Sequence, residues 1–201
     1  MNDKNVNGKP QISLSETVVL VDAAFLNLVI SETKIYFEEA MHRSLHEIDI
    51  TELTVSMTLD AGLKEGNNAV QYLIVYDDNS AQLAHCQPFD LKKDLNGVAF
   101  QCPFGEYAFT SVPSEGMVTR EELFLDLLSI VADSADVKRI IVVSFNEEYG
   151  EKVTDFLSGV KDKELFQLRM NDPHRQVEYQ WSMLAFPVMH ALGVMSSELK
   201  Q

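Results

Sequence analysis

Three mainly apolar runs, each about as long as one strand, constrain the fold of this chain more than any other feature. They cover residues 17–21 (TVVLV), 70–76 (VQYLIVY) and 139–144 (RIIVVS), and all are rich in β-branched residues. Such runs are typical of strands that helices cover on both faces, as in a parallel sheet. Segments with helical spacing lie between them, so the sequence predicts a three-layer α/β/α domain with a mainly parallel sheet. Asp77 and Asp78, after the second run, are predicted to form a turn.

Capping residues indicate where the helices begin. Thr119 and Glu122 form the capping-box pattern T-x-x-E. Asp49 precedes a helix that ends near Gly62, and Asn146 is predicted to cap a helix that reaches about residue 160. The other predicted elements are a helix over residues 23–46 with a break near 31–33, an irregular β region between 82 and 112, a short final strand at 165–168 and a last helix over 177–192.

The charge of the chain limits its partners. Among its 201 residues, 31 are acidic and 16 are basic, which gives a net charge of -15. Contacts with phosphates need clustered Lys and Arg, so this balance argues against general binding to nucleic acid or to an anionic membrane surface. RNA would be able to bind only through a local patch, for which Lys92, Lys93 and Arg120 are the candidates.

The ends of the chain and its cysteines indicate the domain organisation and the compartment. Residues 1–12 are polar and predict a loose tail, and residues 13–201 predict a single domain. The tail lacks the apolar segment of a secretory signal, and no apolar run reaches the roughly 18 residues of a membrane span. Cys86 and Cys102 are too few for a disulfide framework. We therefore expect no membrane contact, two reduced thiols and a cytoplasmic location.

Acidic residues stand where the predicted strands end. Asp22 follows the first strand, Glu147 and Glu148 follow the RIIVVS strand, and Glu121 and Glu122 open the helix before it. Open α/β sheets bind ligands outside the carboxyl ends of their strands, so these acids can converge on one rim. Their mutual repulsion would favour Mg²⁺ or Mn²⁺, which can activate water for attack on a phosphodiester.

The same residues also have an interpretation as helix caps. Glu122 is the reciprocal partner of the capping box, and Glu121 complements the helix dipole. Asn146 is a preferred N-cap, and Asp22 can cap the first helix. The sequence leaves both interpretations open.

In their order along the chain, these segments resemble the NYN branch of the PIN-like ribonuclease superfamily. The resemblance spans roughly residues 17–160 and rests on VVLV followed by Asp22, the helix opened by acids, and IIVVSFNEEY at 140–149. It implies a PIN-like fold and a ribonuclease activity that depends on Mg²⁺ or Mn²⁺. The implied catalytic residues are Asp22, Glu122, Asn146 and Glu148, and the implied metal ligands are Asp22, Glu148 and a helix acid, Glu121 or Glu122.

Three departures from the family pattern fall on the implied site. Ala23 and Phe25 replace the glycine and the asparagine of the family's opening Asp-Gly-x-Asn. Asn146 replaces a metal-binding aspartate, and Phe145 replaces a glycine. A neutral amide is a poorer ligand for a hard cation, and a phenyl ring adds bulk beside the site. The chain is therefore interpreted as a divergent member with a degraded acidic site.

A second candidate metal site lies near the end of the first predicted helix. His42 and His46 are spaced i, i+4, with Glu39 within reach as a third ligand. The simpler interpretation is a solvated helix end, where histidine suits the dipole.

The last predicted helix is apolar on nearly every side. Its apolar residues extend from Trp181 to Met195, and Pro187 should kink or divide it. A helix of this kind must be covered, either within the fold or by self-association through Met183, Phe186 and Met189.

Two functions are compatible with these observations. The preferred one is a non-catalytic oligomerisation or protein-interaction module. The alternative is a divalent-metal-dependent ribonuclease that acts on single-stranded or structured RNA. The negative charge favours the first, and a basic patch of Lys92, Lys93 and Arg120 beside the acidic rim would favour the second.

Overall fold

The structure, a computed structural model, describes residues 14–116 and 118–200. The predicted tail over residues 1–12 lies outside the described residues. Within the described ranges, no helix is both long enough and apolar enough to cross a membrane.

Strands and helices alternate along the chain as predicted. The strands are β1 (Thr17–Asp22), β2 (Ile48–Asp49), β3 (Ala69–Tyr76), β4 (Cys86–Gln87), β5 (Ala99–Cys102), β6 (Gly105–Pro113), β7 (Arg139–Val143), β8 (Glu164–Arg169) and β9 (Gln180–Met183). The helices are α1 (Ala23–Met41), α2 (Ile50–Asp60), α3 (Arg120–Asp133), α4 (Asn146–Gly159) and α5 (Ala185–Ala191), with a π-helical turn at Leu91–Leu95 and a 3₁₀ turn at Glu198–Lys200.

A seven-stranded sheet forms the middle layer of the fold. Its strands lie in the order β5-β6-β3-β1-β7-β8-β9, and all neighbours are parallel except β5 and β6. β1 is central, with Val19 beside Tyr72 of β3 on one side and Ile141 of β7 on the other. The short strands β2 and β4 form a separate parallel pair.

The side chains of β1 alternate between two hydrophobic cores, one on each face of the sheet. Val19 and Val21 pack with α1, α2 and α5, whereas Val18 and Leu20 pack with α3 and α4. Because both faces are covered, positions 18–21 of the strand are all apolar, where a strand covered on one face would be apolar at every second position. The predicted three-layer α/β/α fold with a mainly parallel sheet is confirmed.

The order of the strands creates a crevice at the carboxyl edge of the sheet. Numbered along the chain, the six parallel strands lie in the order 3-2-1-4-5-6, which is the doubly wound arrangement. β1 and β7 are neighbours, but α1 leaves β1 on one face and α4 leaves β7 on the other. The carboxyl ends of these two strands therefore flank the position where doubly wound sheets bind ligands.

The structure corrects the prediction for the first helix. α1 is continuous through residues 31–33, where a break is predicted, and it ends at Met41. His42 adopts a left-handed conformation with φ of 52° and ends the helix, so His42 and His46 do not share a helical face. The alternative metal site of these histidines with Glu39 is therefore not formed.

The prediction of a last helix over residues 177–192 is wrong in its first half. Gln180–Met183 forms β9, which pairs with β8, so the strand predicted at 165–168 is not the final one. α5 covers only Ala185–Ala191, and Pro187 is its third residue. The backbone N–H groups in the first turn of a helix have no acceptor within the helix. Pro187, which has no N–H, is therefore tolerated at this position and does not kink the helix.

Gly105 allows the close approach of β6 to the loop before β3. Its φ is 125°, and a Cβ there would lie 2.1 Å from the backbone oxygen of Asn68. Gly105→Ala must shift the backbone, and we expect it to lower the free energy of unfolding by more than about 3 kcal/mol in urea denaturation. Gly97→Ala is the control, because φ is 78° there but no atom lies within 4 Å. Equal losses in both variants would contradict the steric explanation.

Candidate functional site

An arginine lies between the acidic residues at the carboxyl edge of the sheet. Arg120 is the first residue of α3 and binds three carboxylates, one at the end of β1, one directly after β3 and one at the start of α4. Its Nε donates to Asp22 Oδ2 at 2.8 Å, its Nη1 to Asp77 Oδ2 at 2.6 Å and its Nη2 to Glu148 Oε2 at 2.7 Å. We call these four side chains, together with Tyr149, the arginine cluster.

Asp22 is completely buried, and all of its acceptor positions are used. Its Oδ1 accepts hydrogen bonds from the backbone N–H groups of Ala24 at 2.9 Å and Phe25 at 3.1 Å, which caps α1. Its Oδ2 accepts from Arg120 and from the hydroxyl of Tyr149. A carboxylate offers about four acceptor positions, so Asp22 has none left for a metal ion.

The turn that follows β3 holds the other oxygen-rich side chain of this edge, Asp77. Its Oδ1 accepts from the backbone N–H of Asn79 and of Ser80 at 3.0 Å each, and from the Ser80 hydroxyl at 2.8 Å. Burial raises the pKa of Asp77, but the hydrogen bonds from Ser80 and Arg120 outweigh it and leave this pKa below its ordinary value. Asp77 is therefore ionised at neutral pH and attracts the guanidinium.

Aromatic rings close the crevice around the cluster. Tyr149 is 2% exposed, and burial together with the neighbouring Asp22 holds its pKa well above the ordinary value, so the hydroxyl remains a donor. The guanidinium carbon of Arg120 lies 5.5 Å from the centre of the Phe145 ring, within cation–π distance. Phe145 also contacts Phe25, with 5.4 Å between ring centres.

The charge of the guanidinium is stabilised by its surroundings. Burial lowers the pKa of Arg120, but the charge of Asp22, the hydrogen bonds that the guanidinium donates to Asp22 and Asp77, and the charge of Glu148 outweigh burial and raise this pKa. The Arg120 side chain is 14% exposed, so it is a largely desolvated cation paired with three carboxylates. Pairing of this kind is what makes a buried charge tolerable.

The two helix acids point to other partners. Glu122 completes the capping box: its Oε2 accepts from the Thr119 backbone at 2.9 Å, and its own N–H donates to the Thr119 hydroxyl at 3.1 Å. The hydrogen bonds that its carboxylate accepts from the Thr119 backbone N–H and hydroxyl hold the pKa of Glu122 below its ordinary value. Glu121 forms an ion pair with Lys152 on α4. The cap interpretation of Glu122 is confirmed, and neither acid joins Asp22 and Glu148.

Asn146 connects two strand ends and is not the N-cap of α4. The N-cap is Phe145, whose side chain makes no capping bond, and Asn146 is the first helical residue. Asn146 Oδ1 accepts from the Met170 backbone N–H at 3.0 Å, and its Nδ2 donates to the Ser144 carbonyl at 3.0 Å. The prediction of an Asn146 cap is therefore wrong: the amide links the chain after β7 to the chain after β8.

The three residues of the predicted basic patch do not form one surface, because Arg120 belongs to the arginine cluster. Arg120 faces three carboxylates, and Lys93 pairs with Asp90 at 3.1 Å while 78% of its side chain is exposed. Lys92 is exposed as well. Only the two lysines of the patch are therefore presented to solvent.

Three members of the cluster, Asp77, Arg120 and Tyr149, were not predicted as site residues. The sequence predicts Asp77 as a turn residue and Arg120 as part of a basic surface patch. A signal for Asp77 does exist, because it follows a buried strand as Asp22 does, and adjacent parallel strands end at the same edge. The sequence has no comparable signal for Arg120, whose side chain crosses from α3 to three other segments.

The residues present do not fit a divalent cation. Within residues 14–116 and 118–200, no group of three or more His, Cys, Asp or Glu side chains is arranged to hold a metal ion. The carboxylates of Asp22, Asp77 and Glu148 do approach one another, but they do so around the guanidinium of Arg120. The cation at this site is the Arg120 side chain itself.

Comparison with known proteins assigns the chain to a family. A family model described as "Family of unknown function (DUF6621)" matches residues 11–199, so the chain belongs to this family. No curated protein and no solved structure matches it.

Removing the guanidinium should leave a buried carboxylate without a cation. We expect Arg120→Met to lower the free energy of unfolding by about 3–5 kcal/mol, measured by urea denaturation. Arg175→Met is the control, because Arg175 pairs with Asp155 at the surface, where an ion pair is worth less than about 1 kcal/mol. Similar losses in both variants would show that the cluster is no more than a surface ion pair.

The same comparison has a pH dependence. The folded state lowers the pKa of Asp77, so the ionised carboxylate stabilises the fold. This stabilisation is complete above the unfolded pKa of about 3.9 and is lost as pH falls through the folded pKa. The difference in stability between wild type and Arg120→Met should therefore narrow below about pH 4. A difference that stays constant down to pH 2 would contradict this.

Proposed function

We propose that this chain is a non-catalytic protein-interaction module, in which the guanidinium of Arg120 takes the place that a divalent cation has in a nuclease with this architecture. The observation that carries the proposal is the simultaneous pairing of Arg120 with Asp22, Asp77 and Glu148. These carboxylates lie where a metal-dependent ribonuclease of this strand order would need free oxygen ligands.

A divalent ion would have to displace the guanidinium to reach these oxygens. That exchange breaks three charge-assisted hydrogen bonds, each worth roughly 1.5–3 kcal/mol. It also leaves a largely buried Arg120 beside a second cation, and the two repel each other. Wild-type protein is therefore expected to function without Mg²⁺ or Mn²⁺.

The charge of the chain supports a protein partner over RNA. With Arg120 paired, the exposed cations of the predicted patch are Lys92 and Lys93. The net charge of -15 repels a polyphosphate and attracts a basic protein surface. The cytoplasm is the location that fits this proposal, since Cys86 and Cys102 are free thiols.

Exposed apolar side chains on α1 and α5 are the candidates for contact with a partner. Ile35 and Tyr36 on α1 are exposed, and so is Phe186 on α5, which packs against α1. Covering such side chains gains roughly 25 cal/mol per Å² of apolar area, so a partner can be held there.

The first test compares the response to Mn²⁺ with and without the guanidinium. In Arg120→Ala the carboxylates lose their cation, and Mn²⁺ at 100 times its dissociation constant should stabilise the folded state by about 2.7 kcal/mol, a rise of several degrees in melting temperature. Wild type should show no rise. Lys152→Ala is the control, because it frees Glu121 in an exposed pair and should leave the melting temperature unresponsive.

The same samples are incubated with single-stranded RNA. We expect no cleavage by wild type with or without Mn²⁺. Cleavage that requires Mn²⁺ and is lost in Asp22→Asn would contradict the proposal and establish the ribonuclease. No Mn²⁺ response in Arg120→Ala would contradict the equivalence of guanidinium and metal ion.

Self-association through α5 is a second form of the proposed interaction. Phe186 is 56% exposed, whereas Met183 and Met189 are half-buried, so Phe186 is the side chain that a second copy would cover. If α5 mediates a dimer, sedimentation should find dimers at micromolar concentration and monomers for Phe186→Asp. Ile130→Asp, an equally exposed position on α3, should leave the dimer intact. Wild-type monomers at high micromolar concentration would exclude self-association.

A further inference from the structure

A cavity of about 310 Å³ opens beside the arginine cluster, outside the carboxyl ends of β3 and β6. It is lined by the last residues of both strands, by the turn after β3 and by the start of the π-helical turn. We call it the Tyr76 recess, and its charged and hydroxyl-bearing lining includes Tyr76, Asp78, Asp90, Lys93, Ser114 and Glu115. Its volume lies at the lower end of the range for small-ligand sites, roughly 300–1,000 Å³.

Two nearly buried hydroxyl groups face this cavity. Tyr76 is 6% exposed and Ser114 is 8% exposed, and neither hydroxyl bonds to any side chain or backbone group in the described ranges. Among the described residues, Ser111 Oγ is the side-chain atom that is both fully enclosed and without a hydrogen-bond partner. The hydroxyls of Tyr76 and Ser114 also lack a partner there, but they are not fully enclosed. The hydroxyls of Tyr76 and Ser114 are therefore reached from the cavity and are free to bind a ligand.

The carboxylates of the recess differ in how far they are neutralised. Asp77 is paired with Arg120, and Asp90 is paired with Lys93, whose side chain extends into solvent. Asp78 and Glu115 form no ion pair within the described ranges. Lys92 also lines the recess and forms no ion pair within the described ranges, so two unpaired carboxylates face one unpaired lysine and a surplus of negative charge remains.

The electrostatics at Tyr76 agree with this arrangement. Burial raises the pKa of Tyr76, and the charges of Asp90, Glu115 and Asp78 raise it further. All three carboxylates line the recess together with Tyr76. The phenol stays protonated at neutral pH, beside a negative potential.

We propose that the Tyr76 recess binds an organic cation, the guanidinium or ammonium group of an arginine or lysine side chain that a partner protein presents. Asp78 and Glu115 accept its N–H groups, and the hydroxyl of Tyr76 accepts one more. The inference rests on the proposed function, which it extends by naming the chemistry of the partner.

The net charge of the chain acts in the same direction. A protein with 15 excess negative charges steers basic partners toward its surface and raises their association rate. The recess then provides a position for one basic side chain beside the rigid arginine cluster, with which it shares Asp77. A rigid neighbour favours binding because little of the site has to be ordered.

The test uses small probes and the full chain. Nα-acetyl-arginine amide, Nα-acetyl-lysine amide and 1,5-diaminopentane are titrated, with Nα-acetyl-glutamine amide as the neutral control, and the backbone amide resonances of Asp78 and Glu115 are followed by NMR. We expect the cationic probes to shift these resonances to saturation and the neutral probe to leave them in place. Binding should weaken as ionic strength rises.

Two matched double variants separate the recess from general electrostatics. Asp78→Asn with Glu115→Gln removes two charges that form no ion pair in the described residues. This double variant should lower the affinity for Nα-acetyl-arginine amide about tenfold. Asp94→Asn with Glu106→Gln removes the same number of exposed charges outside the lining and should change the affinity for the same probe less than about twofold. Tyr76→Phe should weaken it several-fold and leave the fold intact.

Equal weakening in the two double variants, or no shift with any cationic probe, would overturn the inference. Binding of diaminopentane more than about tenfold tighter than that of both amino-acid amides would make a free amine the ligand and overturn the role of a partner side chain. These outcomes are distinct from the RNA cleavage that would overturn the proposed function, because the recess variants leave Asp22 and Arg120 unchanged.

Discussion

The charge of Asp22 has to be neutralised inside the fold, and Arg120 does this. Asp22 ends the central strand and is completely buried, so its desolvation is tolerable only with a cation and a full set of donors. The guanidinium supplies the cation, while the first turn of α1 and Tyr149 supply the other donors. One side chain of α3 thereby connects segments that follow β1 and β3 with α4, across the point where the strand order reverses.

The same pairing limits what chemistry this edge of the sheet can perform. A hard cation needs several free carboxylate oxygens, and here the oxygens of Asp22 and Asp77 are engaged by donors within the chain. Phe145 adds a ring next to the guanidinium, in the crevice where doubly wound sheets receive ligands. The unneutralised charge lies one strand further along, at the Tyr76 recess, where Asp78 and Glu115 are not committed to the fold.

The cluster and the recess illustrate two uses of acidic residues in one region. In the cluster, short hydrogen bonds between ions fix the relative positions of strands and helices, and removing one partner leaves a buried charge. In the recess, the charges are closer to water, so they contribute little to stability and remain available to a ligand. The turn that begins at Asp77 serves both, because Asp77 Oδ2 faces Arg120 and the next residue, Asp78, lines the recess.

Local patterns in the sequence determined most of the secondary structure, because they depend on neighbours along the chain. The β-branched runs specify buried strands, and Thr119 with Glu122 specifies the start of α3. The sequence also placed Asp22 and Glu148 at one edge. It failed where the local pattern is ambiguous: residues 180–183 (QWSM) run directly into the apolar segment that forms α5, but they pair with β8 as an edge strand. Only the tertiary structure decided that the acids surround Arg120, since a long side chain selects its partners among segments that the fold, and not the sequence, brings within 3 Å.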